Sequence, residues 1–436
     1  MIITVAITFY RIFLWLYKCG AIVLSPFNEK AKRWLSGRKN VFSKLEATLS
    51  AKNGKTTWFH CASLGEFEQA RPLMEEIRHQ YPKSAVVISF FSPSGYEIRK
   101  DYNGADYVFY LPADSAANAK KLLDIIKPGL VIWVKYEYWH FYLQQIKQLN
   151  IPLLLVSGIF RNDQPFFKTW GSFHRNMLAC FSYLFVQNQD SKKLLGSIGL
   201  SGNVAVSGDT RFDRVIEIAS HAAEIPMIAS FIDNKPVIVA GSTWDEDEKE
   251  LDHFANTHPE IKFIIAPHEI DEEHLKSIEK LFHNCVRYSR LMDKDTIEAV
   301  RAESPIPNSQ FLIPNVLIID NIGMLSQLYQ YATIAYVGGG FGNDGVHNVL
   351  EAAVYNKPVI FGPVYEKFVE AAALIDAGGA FSADNALELE ENLLILLNNE
   401  KEYKMACKAA GDFVQANKGA TQKILGYIQE NRLLTN

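Results

Sequence analysis

Short apolar runs alternate with amphipathic stretches from residue 56 onward. Each run has the length of a buried strand, and the stretches between the runs carry the apolar spacing of surface helices. The predicted strands of the first half are 56–61, 85–91, 106–111, 130–134, 152–157 and 183–187. Buried strands that alternate with helices indicate a parallel sheet covered on both faces.

The same alternation restarts after a predicted linker between the segment 207–214 and Pro236. Its predicted strands are 236–241, 262–267, 316–320, 333–339 and 358–362. Prolines predict a loop-rich stretch over 284–315, and the last helical stretch, 400–431, has no strand after it. The pattern therefore predicts an α/β fold with two doubly wound, Rossmann-like domains. The predicted division is a membrane-anchoring segment 1–40, an N-terminal domain 41–220, a C-terminal domain 221–400 and a C-terminal helix 401–436.

Length and composition agree with this division. The chain has 436 residues, of which 48% are hydrophobic, enough for two domains with sizeable cores. A net charge of −5 gives no electrostatic basis for a nucleic-acid partner. The five cysteines include no C-x-x-C pair, and no His/Cys cluster has metal-ligand spacing. We therefore expect neither a disulfide framework nor a bound metal.

Residues 2–24 form an apolar segment whose polar positions recur every seven residues. Thr4, Arg11, Lys18 and Ser25 fall on one narrow stripe of a helix, and the rest of its surface is largely aliphatic or aromatic. Charges inside the apolar run disfavour a cleaved signal peptide. A spanning helix has the right length, but Arg11 near its centre costs about 2.5–3.5 kcal/mol on insertion.

A helix that lies in the membrane interface fits the segment best. Arg11 and Lys18 would then reach lipid headgroups, whereas in a buried core helix both charges would need partners. The basic residues that follow are Lys30, Lys32, Arg33, Arg38 and Lys39. Residues 1–60 hold ten basic and two acidic residues, so we expect anionic membrane lipids as partners.

Three residues that could take part in catalysis follow predicted strands of the first half. Glu66 stands near a helix start, where a carboxylate is stabilised as the anion and could act as a general base. Glu137 and Arg211 follow later strands, and Arg211 could meet a phosphate or carboxylate. The alternatives are that both glutamates are plain first-turn residues and that Arg211 pairs with Asp209 or Asp213.

The second half carries residues suited to a nucleotide. Ser242 and Thr243 follow its first strand and could contact a phosphate or cap a helix. Pro267 and His268 end a later strand, and His268 could donate to a phosphate or be structural. In the glycine-rich segment 338–345, the amides of Gly339 and Gly340 could cradle a phosphate. Asn348 and Glu351 stand one turn apart, and Glu351 could accept from ribose hydroxyls.

The same glycines suggest a competing function. Gly340, Gly342 and Gly345 match G-x-G-x-x-G, with Glu366 about twenty residues on, as in dinucleotide-binding oxidoreductases. That motif normally opens a domain, whereas here it comes late in one. We therefore disfavour an oxidoreductase.

Taken in order, these segments resemble the 3-deoxy-manno-octulosonic acid (Kdo) transferases of lipopolysaccharide assembly. Each motif is weak by itself, but their order over some 300 residues is specific. The segments that carry the resemblance are 58–66, 92–97, 110–114, 135–139, 158–161, 208–213, 241–244, 267–269, 320–325, 338–353 and 357–363.

The resemblance implies a GT-B fold whose two domains face a cleft, and an inverting glycosyltransferase. CMP-Kdo would be the donor and a lipid A precursor the acceptor, with no metal, at the cytoplasmic face of the inner membrane. The resemblance places the base at Glu66 and transition-state stabilisation at Glu137 and Arg211. The implied CMP contacts are Pro267, His268, Ile322, Gly323, Met324, Asn348, Val349, Leu350 and Glu351.

The sequence departs from the family at several of these positions. The family usually has Glu at Lys135, His at Trp244 and Lys at Arg211, and an acidic residue at Met324. It also has Arg-His-Pro at 268–270. Two alternatives remain open: an epimerase or transferase that uses a UDP-sugar, and a catalytically inactive membrane scaffold.

Overall fold

The computed structural model describes residues 2–49, 56–135, 137–291 and 314–434. The chain forms two compact units. The first consists of Met1–Arg214 with Lys418–Asn436, and the second of Val215–Asn417. Most of the predicted loop-rich stretch 284–315 lies outside the described residues.

The described residues of the first unit build one parallel seven-stranded sheet in the order β3-β2-β1-β4-β5-β6-β7. Its strands are β1 Thr56–Cys61, β2 Ala85–Phe90, β3 Tyr107–Tyr110, β4 Pro128–Val134, β5 Leu153–Gly158, β6 Tyr183–Val186 and β7 Val204–Val206. The strand order reverses between β1 and β4. In doubly wound sheets this switch point, at the carboxyl ends of the strands, is where ligands bind.

Helices cover both faces of this sheet. They are α1 Ile2–Leu24, α2 Glu29–Ser36, α3 Val41–Leu49, α4 Leu64–Gln80, α5 Pro93–Arg99, α6 Ala116–Ile126, α7 His140–Gln148, α8 Ser172–Leu178, α9 Gln189–Ser197 and α10 Thr210–Ser220. Trp58 and Phe59 are neighbours on β1 but belong to different core clusters. Successive side chains of a strand point to opposite faces, so each sheet face has its own core.

The second unit repeats this architecture. Its described strands, in the order β10-β11-β9-β8-β12-β13-β14, are β8 Val237–Thr243, β9 Lys262–Pro267, β10 Cys285–Arg287, β11 Val316–Ile318, β12 Ile334–Val337, β13 Val359–Phe361 and β14 Ala380–Ser382. The order reverses between β8 and β12. Its described helices are α11 Pro226–Ile232, α12 Asp245–Thr257, α13 Glu272–Leu281, α14 Tyr288–Leu291, α15 Leu325–Leu328, α16 Leu350–Ala353, α17 Val369–Asp376, α18 Ala386–Asn398 and α19 Glu400–Ala416.

The last helix, α20 Ala420–Glu430, returns to the first unit. Asp213 accepts hydrogen bonds from the amides of Gly419 and Thr421 at 2.6 and 2.7 Å, which fixes the helix start. Ile424 and Ile428 are buried in the first unit's core. The units meet along the chain at 214/215 and 417/418, compared with the predicted boundaries at 220/221 and 400/401.

Helix α1 packs lengthwise against the first unit. Ala6, Ile7 and Tyr10 contact its core, and the Tyr10 hydroxyl donates to Asp114 at 2.7 Å. Thr4–Leu24 is long and apolar enough to cross a membrane. One face of α1 therefore packs on the core, while another, apolar face, which includes Phe9, is exposed.

Candidate active site

The switch point of the first unit brings Glu66 close to Glu137. Glu66 lies in the first turn of α4, and only 7% of it is exposed. Its carboxylate accepts hydrogen bonds from the amides of Ala62 and Ser63. Burial and the charge of Glu137 raise the pKa of Glu66 to about 7, against the lowering effect of the Ala62 amide and Lys135. A carboxylate with this pKa is suited to take a proton near neutral pH.

Glu137 ends a hydrogen-bonded chain that runs across the sheet. The Trp58 indole donates to Ser89 Oγ at 2.8 Å, and Ser89 Oγ lies 2.8 Å from His60 Nδ1. His60 Nε2 lies 2.9 Å from Glu137 Oε2, which also accepts from Trp139 Nε1 at 2.9 Å. These contacts fit an imidazole that accepts at Nδ1 and donates from Nε2. The chain therefore holds the Glu137 carboxylate in one position.

The surroundings of Glu137 differ from the prediction in one respect. The helix that follows β4 begins at His140, and Glu137 lies in the loop before it. Three side chains hold Glu137 in this loop. Trp133 Nε1 donates to its carbonyl oxygen, and His60 Nε2 and Trp139 Nε1 contact its carboxylate. Glu137 is thus fixed by tertiary contacts and is not a first-turn residue.

Lys135 directly follows β4 and adopts the left-handed backbone region, with φ of 57°. That conformation is uncommon for a residue other than glycine. The Lys135 charge lowers the pKa of both Glu66 and Asp209. It therefore lies within electrostatic reach of the residues that follow β1 and β7.

Arg211 pairs with Asp209, as the alternative interpretation held. Its Nε and Nη2 atoms lie 3.0 and 2.8 Å from Asp209 Oδ2. Burial would raise the pKa of Asp209, but Arg211 holds that pKa below its ordinary value. Gln69 and Gln187 also donate to this carboxylate. Arg211 is therefore a fixed cation near the carboxyl ends of the strands.

At the switch point of the second unit, a buried carboxylate holds the glycine-rich loop. Asp247 accepts from the amides of Gly339 and Trp244 at 2.8 and 2.9 Å and from the Tyr336 hydroxyl at 2.6 Å. The Gly339 amide is thus engaged within the protein. This differs from the predicted cradle, in which that amide was open to a phosphate.

Close packing of the chain accounts for the glycines themselves. A Cβ atom on Gly340 would lie 2.5 Å from the Gly362 nitrogen, and one on Gly338 would lie 2.3 Å from the Ser242 carbonyl oxygen. Gly339 has φ of +90°. The loops after β8, β12 and β13 can approach each other only because these positions lack side chains. The glycine spacing therefore needs no dinucleotide.

Ser242 and Thr243 do not cap the following helix. Ser242 has φ of 55°, and the buried Thr243 hydroxyl donates to Glu248 at 2.8 Å. The N-cap residue of α12 is Trp244, whose amide donates to Asp247. The cap is displaced by one residue from the predicted position because the Thr243 side chain turns toward Glu248.

Three rings stack where β9 and β12 end. The ring of His268 lies 4.6 Å from that of Trp244 and 4.5 Å from that of His347. The Trp244 indole donates to His347 Nε2 at 3.1 Å. Burial, with the charge of His268, lowers the pKa of His347 to about 4. Pro267, the last residue of β9, leads directly into this cluster.

The other predicted nucleotide contacts form two turns. Asn348 Nδ2 donates to Glu351 Oε1 at 3.0 Å, and the Leu350 amide donates to Asn348 Oδ1 at 3.3 Å. Val349 and Leu350 are buried, so only their backbones can meet a ligand. The second turn precedes α15 and consists of the exposed Ile322 and Gly323 and the half-buried Met324.

Comparison with known proteins shows which enzymes this chain resembles. Residues 36–214 match the family described as 3-deoxy-D-manno-octulosonic-acid transferase. A 3-deoxy-D-manno-octulosonic acid transferase of Rickettsia felis is 27% identical over 384 residues, 85% of this chain and 78% of the relative. Over most of its length the chain is therefore similar to the Kdo transferases. Its GT-B class of two parallel-sheet α/β domains is confirmed.

Two further proteins extend the comparison. A bifunctional glycosyltransferase/methyltransferase of Fusobacterium nucleatum is 27% identical over 430 residues, 96% of this chain. The chain spans 61% of that relative's length. The structure of UDP-GlcNAc 2-epimerase from Neisseria meningitidis, 17% identical, superposes with a TM-score of 0.60 over 86% of this chain and all of that one. The last likeness is one of fold.

Within the described residues, one group has the spacing of metal ligands. It consists of Asp245, Glu248 and His274. His274 Nε2 lies 3.1 and 3.0 Å from the two carboxylates, and its Nδ1 lies 2.9 Å from the Glu269 carbonyl oxygen. A protonated imidazole satisfies all three contacts. Burial alone would lower the pKa of His274, but Glu248 raises it, which favours an ion pair in this group.

Sequence reasoning missed His60, Ser89 and Asp247. His60 was noted only as part of a motif, yet its imidazole is fully buried inside a strand. A histidine in an otherwise apolar strand was the available signal, since a buried imidazole needs partners. Asp247 lies in an acidic first turn, where carboxylates are usually solvated, and no local pattern marks it as buried.

Proposed function

We propose that the chain transfers Kdo from CMP-Kdo to a lipid A precursor and inverts the anomeric centre. One observation carries this proposal: in a chain similar to the Kdo transferases, a buried glutamate with a pKa of about 7 lies at the switch point of the first unit. Half of such a group is ionised near neutral pH. It can therefore take up the proton that an attacking hydroxyl loses.

Glu66 is the general base in this account. Its carboxylate is held by the amides of Ala62 and Ser63. It removes the proton of an acceptor hydroxyl as that oxygen bonds to the anomeric carbon of Kdo. CMP leaves with the electron pair of the broken bond. Direct displacement of this kind inverts the anomeric centre, and the transition state resembles an oxocarbenium ion.

Glu137 and Arg211 act on charge that develops in this transition state. The carboxylate of Glu137 is fixed by His60 and Trp139, so it can face a developing positive charge without rearranging. Arg211 is fixed by Asp209 and offers positive charge to the leaving phosphate. Both side chains are therefore already in position before the reaction and need not rearrange.

The second unit supplies the donor site. We place CMP against the ring stack of Trp244, His268 and His347, with further contacts from Ser242, Thr243 and Pro267. The amide of Gly340, the turn at Ile322, Gly323 and Met324, and the turn at Asn348, Val349, Leu350 and Glu351 complete the site. Asp247 already occupies the Gly339 amide, so Gly339 contributes by positioning this loop. No metal takes part, since fixed side chains supply the charge.

Support for a lipid acceptor comes from an apolar groove of about 710 Å³ in the first unit. Phe9 and Phe13 of α1 line one side, and Phe166, Trp170 and Phe173 line the other. Tyr138, next to Glu137, also lines the groove. An acyl chain bound there would place the acceptor's sugar toward the residues that surround Glu137.

Support for membrane attachment comes from the exposed face of α1. Phe9 and Val23 are 68% and 70% exposed, and the guanidinium of Arg11 lies 5.3 Å from the Phe141 ring centre. The helix is docked on the first unit through Tyr10. We propose that it lies in the cytoplasmic interface of the inner membrane, with Arg11 and Lys18 toward anionic headgroups.

Titration with CMP and with UDP tests the donor assignment. We expect CMP to bind the protein more tightly than UDP, and we expect nuclear magnetic resonance of the product to show an inverted anomeric centre. Tighter binding of UDP would instead favour a UDP-sugar enzyme. Protein that binds CMP but transfers no Kdo to any lipid acceptor would favour the inactive scaffold.

A further inference from the structure

A pocket of about 760 Å³ lies beside the carboxyl-terminal half of α1. Residues of α1, α2, α3 and the loop before α6 line it. Four of the lining side chains are cations, namely Lys18, Lys32, Arg38 and Lys39. None of the described residues that line it is acidic. The pocket therefore carries a concentrated positive charge.

Arg38 is the one of these four cations that is half-buried. Its three donor atoms bond the carbonyl oxygens of Trp34, Phe91 and Leu111 at 2.8–2.9 Å. The guanidinium carbon lies 4.0 Å from the Trp34 ring centre. Burial lowers the pKa of Arg38 to about 10, so the group stays charged at neutral pH. No carboxylate of the described residues forms an ion pair with it.

The charges of the three lysines that line the pocket are little balanced by carboxylates. Within the described part of the chain, Lys18 and Lys39 have no ion-pair partner, and Lys32 has only an exposed contact of 3.5 Å with Glu29. An exposed pair of that kind contributes little. The charges therefore remain available to an anion.

Apolar side chains form another part of the lining, which continues onto the exposed face of α1. Ile22, Leu35 and Phe42 line the pocket. Ile22 is 51% exposed, and its neighbours Val23 and Leu24 are exposed as well. A free phosphate would leave this apolar surface in water, whereas a lipid would cover it. The ligand that matches both features is an anion with a hydrocarbon tail.

We propose that this pocket binds the phosphate headgroup of an anionic glycerophospholipid. The cations surround the phosphate, and the acyl chains leave along the exposed face of α1. This inference rests on the proposed membrane attachment and names the site that recognises the lipid headgroup. It assigns a second ligand to the first unit, separate from the donor and the acceptor.

Binding of monomeric, short-chain lipids to the full chain tests the proposal. We would titrate dihexanoyl phosphatidylglycerol, dihexanoyl phosphatidylcholine and inorganic phosphate, each below its aggregation limit, and follow heat release. We expect saturable binding of one phosphatidylglycerol, with weaker binding of the other two ligands. The double variant K18Q/K39Q should bind phosphatidylglycerol more weakly by about 5-fold for each lysine removed.

The matched control is K30Q/K44Q, which removes the same charge from neighbouring helices outside this pocket. Circular dichroism checks that both variants fold. Equal losses in the two variants would reduce the effect to a general basic surface and overturn the proposal. Equal binding of phosphatidylcholine, or of inorganic phosphate, would overturn it as well. These titrations contain no donor sugar, so their outcome is independent of Kdo transfer.

Discussion

His60 Nε2 lies 2.9 Å from Glu137 Oε2, although 77 positions separate the two residues. On its other side, His60 Nδ1 lies 2.8 Å from Ser89 Oγ, inside the sheet. The interaction fixes the Glu137 carboxylate. Burial is the largest cause of the raised pKa of Glu66, and the charge of Glu137 is the second. A buried histidine thus holds in place the carboxylate whose charge raises the pKa of Glu66.

Replacing Lys135 with glutamine should move the pH dependence of the reaction upward. Because the Lys135 charge lowers the pKa of Glu66, its loss should raise that pKa further above 7. The rise of kcat/KM with pH should then occur at higher pH than in the wild type. Lys135→Arg keeps the charge and serves as the control. A glutamine variant whose profile is unmoved would exclude Lys135 from the electrostatics of the base.

Replacing Glu66 with glutamine should stabilise the protein at high pH. The pKa of Glu66 is about 7 in the folded state and about 4.5 ordinarily. Between these values the folded state holds a proton that the unfolded chain has released, so stability falls as pH rises through the window. The full cost above pH 7 is about 2–4 kcal/mol. Glutamine avoids this cost and still offers an oxygen to the Ala62 amide.

Urea unfolding at pH 5 and pH 8 measures this effect. The stability gain of Glu66→Gln over the wild type should be larger at pH 8 than at pH 5. Glu430→Gln, at an exposed position of α20, should show no such dependence. A gain that is equal at both pH values would mean that the carboxylate of Glu66 is not raised in pKa.

Replacing Asp247 with alanine should destabilise the glycine-rich loop. The change removes three hydrogen bonds and leaves the buried Gly339 amide without an acceptor. We expect a loss of roughly 3 kcal/mol in unfolding free energy. We also expect a higher KM for the donor, with a smaller change in kcat. Asp245→Ala, in the same helical turn but exposed, is the comparison; similar effects of both would contradict the assigned role.

Replacing Tyr10 with phenylalanine should loosen α1. The lost hydroxyl donates to Asp114, a carboxyl whose pKa burial raises to about 6 and Tyr10 holds down. We expect amide hydrogen exchange in α1 to speed up by about 5–30-fold. Tyr17→Phe removes a hydroxyl that has no hydrogen-bond partner among the described residues and should leave exchange unchanged. Unchanged exchange in both variants would show that α1 is held by other contacts.

Hydrophobic patterning was sufficient to predict the architecture and the position of Glu66 near the start of a helix. The long central strands such as β1 and β4 were predicted closely, because continuous apolar runs mark buried parallel strands. The strands β7, β10 and β14 were missed, since each is only three residues long and lies at an edge of its sheet.

The partners of the site residues could not be read from local pattern. The contact of Asp247 with Gly339 spans 92 positions and depends on β8 lying beside β12. Strand order of this kind leaves no trace in the spacing of apolar residues. For the same reason the glycine-rich loop looked like an open phosphate cradle, although an internal carboxylate holds one of its amides.

Turnover of CMP-Kdo with a tetraacylated lipid A precursor, measured with EDTA present, tests the central claim most directly. The wild type should transfer Kdo undiminished by EDTA, and folded Glu66→Gln should be slower by about 10²–10⁴-fold. Transfer by that variant at the wild-type rate, or none by the folded wild type, would contradict the account.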